Sequence, residues 1–375
     1  MPADRSPSEH RFWDRAIALA RLGRGAVSPN PAVGAVLVDD DRVIGEGWHR
    51  RRGDLHAERA ALADALARGN DPRGSTAFVT LEPCAHTGLQ PPCSDALIEA
   101  GVAEVVIGCD DPTPKASGTG PARLAAAGVR VRWADPGVAY ECLDLVQDFR
   151  KMALAGTPLV TLKVAMSLDG RVATATGDAR WISGPESREL VHRWRAEADA
   201  IAVGSGTVRL DDPRLTARLD ETVVRQPTRV VFDSGPSLTP GAALFGDIET
   251  APVVVVTGLD ADPERLAVLE SAGAESVVAV GSDPAARFTD ALRKLGRRGT
   301  SSLLLEGGPT LAGVALASGQ IDRVEIFVAP IIIGGGRAAI EGPGVASIAA
   351  AARVPGMVAR PVGQDVLMSG TIKVW

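Results

Sequence analysis

The sequence predicts an α/β protein of two domains, each built on a mainly parallel β-sheet with helices on both faces. Two observations support this fold class. A chain of 375 residues is long for one compact core. From residue 56 onward, short apolar strands alternate with segments of helical length. The series is interrupted at Gly156, Thr157 and Pro158, so we assign residues 1–152 to a first domain and 157–375 to a second.

The first domain begins with a helix and a hairpin. Phe12, Trp13 and Ile17 fall near helical spacing, and Gly23 ends that pattern. Two apolar runs then flank an acidic turn, which predicts a β-hairpin. In order, the predicted elements are helix 9–22, strands 33–38 and 42–48, helix 56–68, strand 76–81, helix 94–100, strand 102–108, helix 121–127, strand 129–133 and helix 140–155.

The second domain repeats the alternation with different motifs, and we find no internal repeat between the halves. Its predicted elements are strand 159–166, helix 185–198, strands 200–203, 229–232 and 253–257, helix 263–272, strand 277–280, helix 285–295, strand 302–305, helix 310–317, strand 323–329 and an edge strand 370–375.

The composition excludes several classes of partner. A net charge of −6 argues against nucleic acid, whose binding depends on Lys and Arg neutralising phosphates. We find no leader and no run of roughly 18 apolar residues, so we expect a cytoplasmic protein without a membrane partner. Four cysteines in so long a chain are read as metal ligands or buried thiols. The basic residues 50–52 form either a solvated turn or a contact for a single phosphate.

The residues His56, Glu58, Cys84 and Cys93 have the spacing of a catalytic zinc site. One imidazole and two thiolates leave the fourth tetrahedral position open for water. Cys93 opens a predicted helix, where unpaired amides favour a thiolate. Glu58 lies two residues after His56, so it points elsewhere and is free to transfer protons.

The H-x-E, P-C and Cys pattern resembles the cytidine deaminase-like zinc deaminases. The gap between the cysteines is eight residues here, not the usual two. That gap, within TLEPCAHTGLQPPC (80–93), and the segment SPNPAVGAV (28–36) resemble the deaminase domain of the bifunctional riboflavin-biosynthesis family. The resemblance implies a three-layer cytidine deaminase-like fold, zinc on His56, Cys84 and Cys93, and Glu58 as general acid and base.

The same resemblance implies substrate contacts. Asn30 matches the residue that holds the pyrimidine, although Asn between two prolines is also a common turn residue. His49 and His86 match positions near the substrate in relatives, and a surface position is the alternative for each. Cys109 and Cys142 have no place in the zinc set, so we expect them to be small buried hydrophobic residues.

One position departs from the family in this domain. Relatives carry a basic residue after the glycine of the inter-cysteine loop, where it helps to hold the ribose phosphate, but Gly88 is followed here by Leu89. The phosphate must then be bound elsewhere, at residues 50–52 or at His49, or the substrate differs.

Five segments of the second half carry its chemistry. Glu306 to Pro309 lies between a predicted strand and helix, where glycines admit a ligand and exposed amides suit a pyrophosphate. Because this is not a GxGxxG turn after a first strand, a Rossmann domain is disfavoured. The segments are KVAMSLDGR (163–171), GDARWIS (177–183), RAEADAIAVGSGTVRLDDPRLTAR (195–218), FDS (232–234) and LLLEGGPTLAG (303–313).

In this order the segments resemble the reductase domain of the same family, whose fold resembles dihydrofolate reductase. The resemblance, which spans about residue 10 to the end, implies NADPH as cofactor. The implied substrate contacts are Arg195, Leu215, Arg218 and Glu306, the arginines suiting a phosphate. The implied NADPH contacts are Ala165, Trp181, Thr207, Asp211, Ser234, Gly308, Pro309, Thr310, Leu311, Ala312, Gly313 and Val314.

Three positions of the second domain keep alternatives. Asp211 is the candidate that assists proton transfer to the opened ribose, and a turn-capping carboxylate is the alternative. Trp181 is alternatively a core aromatic residue. Relatives have Ser where this chain has Ala179, which removes a hydroxyl contact worth about 1 kcal/mol or leaves it to water.

The two resemblances together imply a bifunctional enzyme of riboflavin biosynthesis. It would deaminate 2,5-diamino-6-(5-phosphoribosylamino)pyrimidin-4-one and then reduce the ribosyl group of 5-amino-6-(5-phosphoribosylamino)uracil to ribityl. The alternative is a relative that acts on another aminopyrimidine or retains one activity. A zinc-stabilised binding protein would need four ligands, and we find three convincing ones. The resemblance also implies a homo-oligomer formed through the second domain.

Overall fold

A computed structural model of the chain describes residues 7–219 and 225–375. The chain folds into two compact units. The first runs to Ala155 and includes Trp375, and the second spans Gly156–Val374. Both units combine helices with a β-sheet, which confirms the predicted α/β class.

The first unit contains five strands in the order β2-β1-β3-β4-β5. β1 pairs antiparallel with β2 and β3, whereas β3, β4 and β5 are parallel. The predicted hairpin is confirmed. The elements are α1 (Pro7–Leu22), β1 (Gly34–Asp39), β2 (Arg42–Trp48), α2 (Ala57–Ala67), β3 (Thr76–Val79), α3 (Cys93–Glu99), β4 (Glu104–Ile107), α4 (Thr119–Ala126), β5 (Arg130–Trp133), α5 (Pro136–Leu145) and α6 (Gln147–Ala155).

The predicted single helix 140–155 is wrong, because two helices occupy this region. α5 begins four residues earlier, since the Asp135 side chain accepts hydrogen bonds from the backbone N–H groups of Gly137 and Val138. The two helices are separated at Val146, whose φ of −117° and ψ of 19° are not helical.

The second unit contains a nine-stranded, mainly parallel sheet in the order β11-β10-β9-β8-β12-β6-β13-β16-β15. A second sheet pairs β7 with β14. The elements are β6 (Leu159–Ser167), β7 (Arg171–Ala173), α7 (Pro185–Glu197), β8 (Ala200–Gly204), α8 (Ser205–Asp211), β9 (Thr228–Phe232), β10 (Val253–Thr257), α9 (Pro263–Ser271), β11 (Glu275–Val278), α10 (Pro284–Arg297), β12 (Ser302–Leu305), α11 (Pro309–Ala317), β13 (Arg323–Ala329), β14 (Arg337–Ala338), β15 (Val358–Val362) and β16 (Asp365–Thr371).

The predicted edge strand 370–375 is wrong in extent and in place. The last strand, β16, ends at Thr371 and lies inside the sheet between β13 and β15. β15 forms the edge instead. β15 is mostly exposed. Its sequence contains Pro361, a residue that argues against a strand, so the sequence pattern does not predict one here.

The parallel part of this sheet positions the second site. β6, β8, β9, β10 and β12 run in the same direction, so their carboxyl ends meet along one edge. Ligands of open α/β sheets bind at that edge. Apolar side chains on both faces of these strands are buried against the helices, which holds the edge in place. Among the helices described in both ranges, none has the length and apolar character of a membrane span.

Candidate active sites

In the first unit, His56, Cys84 and Cys93 converge on one point. His56 is the N-cap of α2, Cys84 follows β3, and Cys93 is the first residue of α3. The His56 Nδ1 atom lies 3.7 Å from the Cys84 Sγ atom and 3.4 Å from the Cys93 Sγ atom. All three ligand atoms lie within 4.8 Å of one another, the closeness that a shared metal ion requires.

The protonation of this cluster fits a divalent cation. Hydrogen bonds from Cys93 and His56 lower the pKa of Cys84 to about 4, although burial opposes the charge. The hydrogen bond between Cys93 and Cys84, together with burial, raises the pKa of Cys93. Without a cation, only one of the two cysteines therefore ionises readily. Zinc accepts an imidazole nitrogen and two thiolates, so the donor set suits it.

Glu58 lies in the first turn of α2, beside the cluster but outside the ligand set. Its side chain is buried. Burial, reinforced by the nearby charge on Cys84, raises the pKa of Glu58 to about 7. A carboxyl group with such a pKa can both accept and release a proton near neutral pH.

Asn30 and His49 are joined to the same cluster. The Asn30 Nδ2 atom lies 3.2 Å from His49 Nε2, and His49 Nδ1 lies 3.1 Å from the Leu55 carbonyl oxygen. The rings of His49 and His56 meet edge to face, with centroids 5.3 Å apart. Burial lowers the pKa of His49, which favours its neutral form. His86, in contrast, is exposed.

In the second unit, a cavity of about 990 Å³ opens at the carboxyl edge of the sheet. It contains most of the residues expected to contact cofactor and substrate. The expected residues that line it are Ala165, Trp181, Arg195, Thr207, Asp211, Leu215, Arg218, Ser234, Glu306, Gly308, Pro309, Thr310, Leu311 and Val314. Ala312 and Gly313 do not line it but are buried in α11.

A buried ion-pair network occupies one end of the cavity. The guanidinium of Arg195 donates to both carboxylate oxygens of Glu306, at 2.7 and 2.9 Å. The Lys163 Nζ atom lies 3.6 Å from the same carboxylate. Burial opposes the charge on Glu306, but the two cations outweigh it and lower its pKa to about 2. Glu306 is therefore a fixed negative charge at neutral pH.

Comparisons with known proteins match both units. Residues 6–109 match the cytidine and deoxycytidylate deaminase zinc-binding region, and residues 158–368 match the RibD C-terminal domain. The riboflavin biosynthesis protein RibD of Escherichia coli is 38% identical over 381 residues, covering 95% of this chain and 97% of that protein. RibD of Mycobacterium tuberculosis is 40% identical over 351 residues, which is 92% of each chain. The chain belongs to the RibD family.

A solved structure agrees with this membership over both units. It is that of the Thermotoga maritima diaminohydroxyphosphoribosylaminopyrimidine deaminase/5-amino-6-(5-phosphoribosylamino)uracil reductase, with a TM-score of 0.83 at 35% identity. The match covers 97% of this chain and 98% of that one. The chain is accordingly a bifunctional RibD enzyme of riboflavin biosynthesis, with a zinc-binding deaminase domain and a reductase domain of the type that uses NADPH.

The exposure of individual side chains bears on two interpretations of this RibD chain, one for Trp181 and one for the remaining cysteines. The core interpretation of Trp181 is wrong, because its side chain is 72% exposed, lines the cavity and carries the Arg188 guanidinium 4.8 Å from its ring centroid. Cys109 and Cys142 are buried, as expected, and burial raises the pKa of Cys142 to about 12.

The position of Asp211 also bears on its alternatives. Asp211 ends α8 at the cavity and is exposed. Its neighbour Asp212, with a φ of 41°, accepts the hydrogen bond from the Ala243 backbone N–H group at 2.7 Å. The side chain that accepts this backbone hydrogen bond is that of Asp212 and not that of Asp211.

The basic residues 50–52 have no common arrangement. Arg50 stacks over the Trp48 ring at 4.5 Å, and Arg51 pairs with Asp54 at 3.1 Å. Leu89, which follows Gly88 in the loop between the two cysteines, is 73% exposed. The exposed guanidinium of Arg50 thus remains one candidate for a phosphate contact.

Lys163 and His192 are among the residues of the reductase cavity that sequence reasoning missed. Lys163 is a lysine inside an apolar strand, and that anomaly was a signal for a buried partner. His192 had no such signal. Its Nε2 atom lies 3.3 Å from Arg218 Nη2, and its Nδ1 atom lies 3.2 Å from the Thr216 carbonyl oxygen. His192 thus holds Arg218 at the cavity.

Proposed function

We propose that the first unit removes the exocyclic amine of 2,5-diamino-6-(5-phosphoribosylamino)pyrimidin-4-one and that the second unit reduces the ribosyl group of the product. The observation that carries this proposal is the convergence of His56, Cys84 and Cys93 beside the buried Glu58. The name of the Thermotoga maritima relative supports the substrates. We assign the deaminase to residues 1–152 and the reductase to residues 157–375.

In the deaminase, His56, Cys84 and Cys93 would hold zinc. When bound, zinc supplies a Lewis acid that lowers the pKa of a bound water to about 7. Glu58 then takes a proton from the attacking water and delivers it to the departing amine, which leaves as ammonia. Its pKa of about 7 suits both transfers. Asn30 and His49 orient the pyrimidine ring against this pair.

In the reductase, we assign one set of cavity residues to the substrate and another to NADPH. Arg195, Leu215, Arg218 and Glu306 bind the substrate, and Arg218 suits the phosphate because its guanidinium is exposed. Opening of the ribose ring leaves a C1′=N imine. When bound, NADPH would supply the hydride that adds to C1′, and a proton on the nitrogen would complete the ribitylamino group. Asp211 assists that proton transfer. The NADPH contacts are Ala165, Trp181, Thr207, Asp211, Ser234 and the segment 308–314, in which Ala312 and Gly313 act by shaping the helix.

Two further expectations are part of this proposal. A cytoplasmic location accords with the composition of the chain and its four cysteines, none of which is in a disulfide. A homo-oligomer through the reductase domain accords with the exposed apolar side chains of Ile332 and Ile348 in that unit.

The test supplies zinc, NADPH and the diamino substrate to the full chain. Ammonia release and the loss of NADPH absorbance are followed together. The proposal predicts both signals, with about one NADPH oxidised for each ammonia released. Ammonia without NADPH oxidation, from a folded and zinc-loaded protein, would reject the pairing of the two activities.

A further inference from the structure

The reductase cavity extends beyond the substrate end to the carboxyl ends of β9, β10 and β11. Ser234, Thr257, Gly258 and Ala279 line this region, and Arg287 in the first turn of α10 lines it as well. Among the described residues no carboxylate lines this end, since the acidic residues of the cavity are Asp211, Asp212 and Glu306. The region is therefore suited to an anionic group.

The backbone that carries Arg287 is firmly held. Its N–H group donates to the Asp283 carbonyl oxygen at 3.0 Å, and the Asp283 side chain accepts from the Ala286 N–H group at 2.9 Å. The next residue, Phe288, is 1% exposed and stacks on Phe232 with centroids 5.1 Å apart. A fixed backbone lowers the entropy lost when the side chain binds a ligand.

Within residues 7–219 and 225–375, the Arg287 guanidinium has one charge partner, the Asp283 carboxylate, whose pKa it helps to lower from a distance. The guanidinium forms no hydrogen bond or ion pair there. Other cavity arginines do have partners in direct contact: Arg195 pairs with Glu306, Arg209 donates to Ser237 at 2.6 Å, and Arg337 pairs with Glu341. Arg287 thus offers five N–H donors to a ligand at this end.

The position of Arg287 separates its ligand from the pyrophosphate. The amides of Gly308 and the first turn of α11 follow β12, whereas α10 follows β11. Four strand spacings lie between β11 and β12, each roughly 4.8 Å. The two sites therefore bind different phosphates. NADPH carries one phosphate outside its pyrophosphate, on the 2′-oxygen of the adenosine ribose, and arginine is a residue type that accommodates it.

We propose that Arg287 binds the 2′-phosphate of NADPH, with the Ser234 hydroxyl beside it, and so determines the preference for NADPH over NADH. This inference rests on the proposed reductase function. The guanidinium forms two charge-assisted hydrogen bonds to the phosphate oxygens. NADH offers a hydroxyl at that position, so it gains nothing from the charge of Arg287.

The test measures binding by isothermal titration calorimetry, with 2′,5′-ADP and 5′-AMP as probes. Arg287→Ala in the full chain should weaken 2′,5′-ADP by roughly 10- to 100-fold and leave 5′-AMP unchanged. Arg287→Lys should recover part of the loss. Arg293→Ala, an exposed arginine on the same helix and outside the cavity, is the matched control and should bind both probes as the parent does.

Two results would overturn the inference. Equal loss of both probes would assign Arg287 a general structural role, and unchanged binding of 2′,5′-ADP would place the phosphate elsewhere. If the parent protein bound neither NADP⁺ nor 2′,5′-ADP, the proposed reductase function would fail first and the inference with it. The ratio of kcat/KM for NADPH to that for NADH gives an independent check, and it should fall in Arg287→Ala by the same factor.

Discussion

The side-chain amide of Asn30 lies 3.2 Å from the Nε2 atom of His49, and this contact fixes the direction of both side chains. His49 Nδ1 faces the Leu55 carbonyl oxygen, so it must carry the proton. His49 Nε2 is then an acceptor, and the NH₂ group of Asn30 donates to it. The Asn30 oxygen atom is therefore directed away from His49 and is available to accept a hydrogen bond from the pyrimidine.

Replacing Asn30 tests that arrangement. Asn30→Asp puts a carboxylate oxygen against the unprotonated Nε2 atom of His49, so the ring and the substrate contact lose their orientation. We expect the KM for the diamino substrate to rise by roughly 10- to 100-fold. Zinc content should not change, because Asn30 is outside the ligand set. Steady-state ammonia release measures the effect, and an unaltered KM would remove Asn30 from the substrate site.

Glu58→Gln tests the proton carrier. The amide keeps the size of the side chain but cannot accept the proton from water, so ammonia release should fall at least roughly 100-fold. The metal content should stay at the parent level, and reduction of the already deaminated substrate should continue. A parallel fall of both activities would contradict the assignment of the two activities to separate domains.

The charge on Glu306 predicts a pH dependence of stability. Its folded pKa of about 2 lies below the ordinary value of 4.5, so the ionised form stabilises the folded protein above about pH 4.5. That stabilisation decreases as the pH falls toward 2. Glu306→Gln leaves Arg195 and Lys163 without their counter-ion, at a cost of about 3–5 kcal/mol near pH 7.

Denaturant unfolding at several pH values measures this prediction. The stability difference between the parent and Glu306→Gln should be largest near neutral pH and should narrow between pH 4.5 and 2. A difference that stays constant across this range would show that the carboxylate charge does not contribute.

The close packing of Gly313 in α11 predicts an effect on stability. A Cβ atom added at Gly313 would lie 1.5 Å from the Glu341 carbonyl oxygen, so the segment around Glu341 must move. We expect Gly313→Ala to destabilise the second unit by about 1–3 kcal/mol. Gly241→Ala is the control, because its added Cβ atom meets no described atom within 4 Å. Equal unfolding midpoints of the two variants would refute the contact.

The sequence predicted that His56, Cys84 and Cys93 come together, because the evidence for this cluster is local. His56 is the N-cap of α2 and Cys93 is the first residue of α3, and such boundary positions are encoded by nearby residues. The alternation of apolar strands and helices likewise identified most of both sheets. These features depend on short-range patterns, which a single sequence displays directly.

The rest of the molecule depends on contacts between distant segments. β15 exists because it pairs with β16, although its own exposed residues do not favour a strand. His192 acquires its role from Arg218, which lies 26 residues away. Arg287 is notable only after the fold brings it to a cavity shared with Ser234. No spacing rule connects such residues.

Metal analysis of the parent protein and of Cys93→Ser tests the central claim most directly. If the imidazole of His56 and the two thiolates form one ligand set, the purified parent should contain about one zinc ion per chain. Cys93→Ser should lose most of that zinc, because a hydroxyl is a poor substitute for a buried thiolate. A parent protein without zinc, or a variant that retains the full amount, would contradict the account.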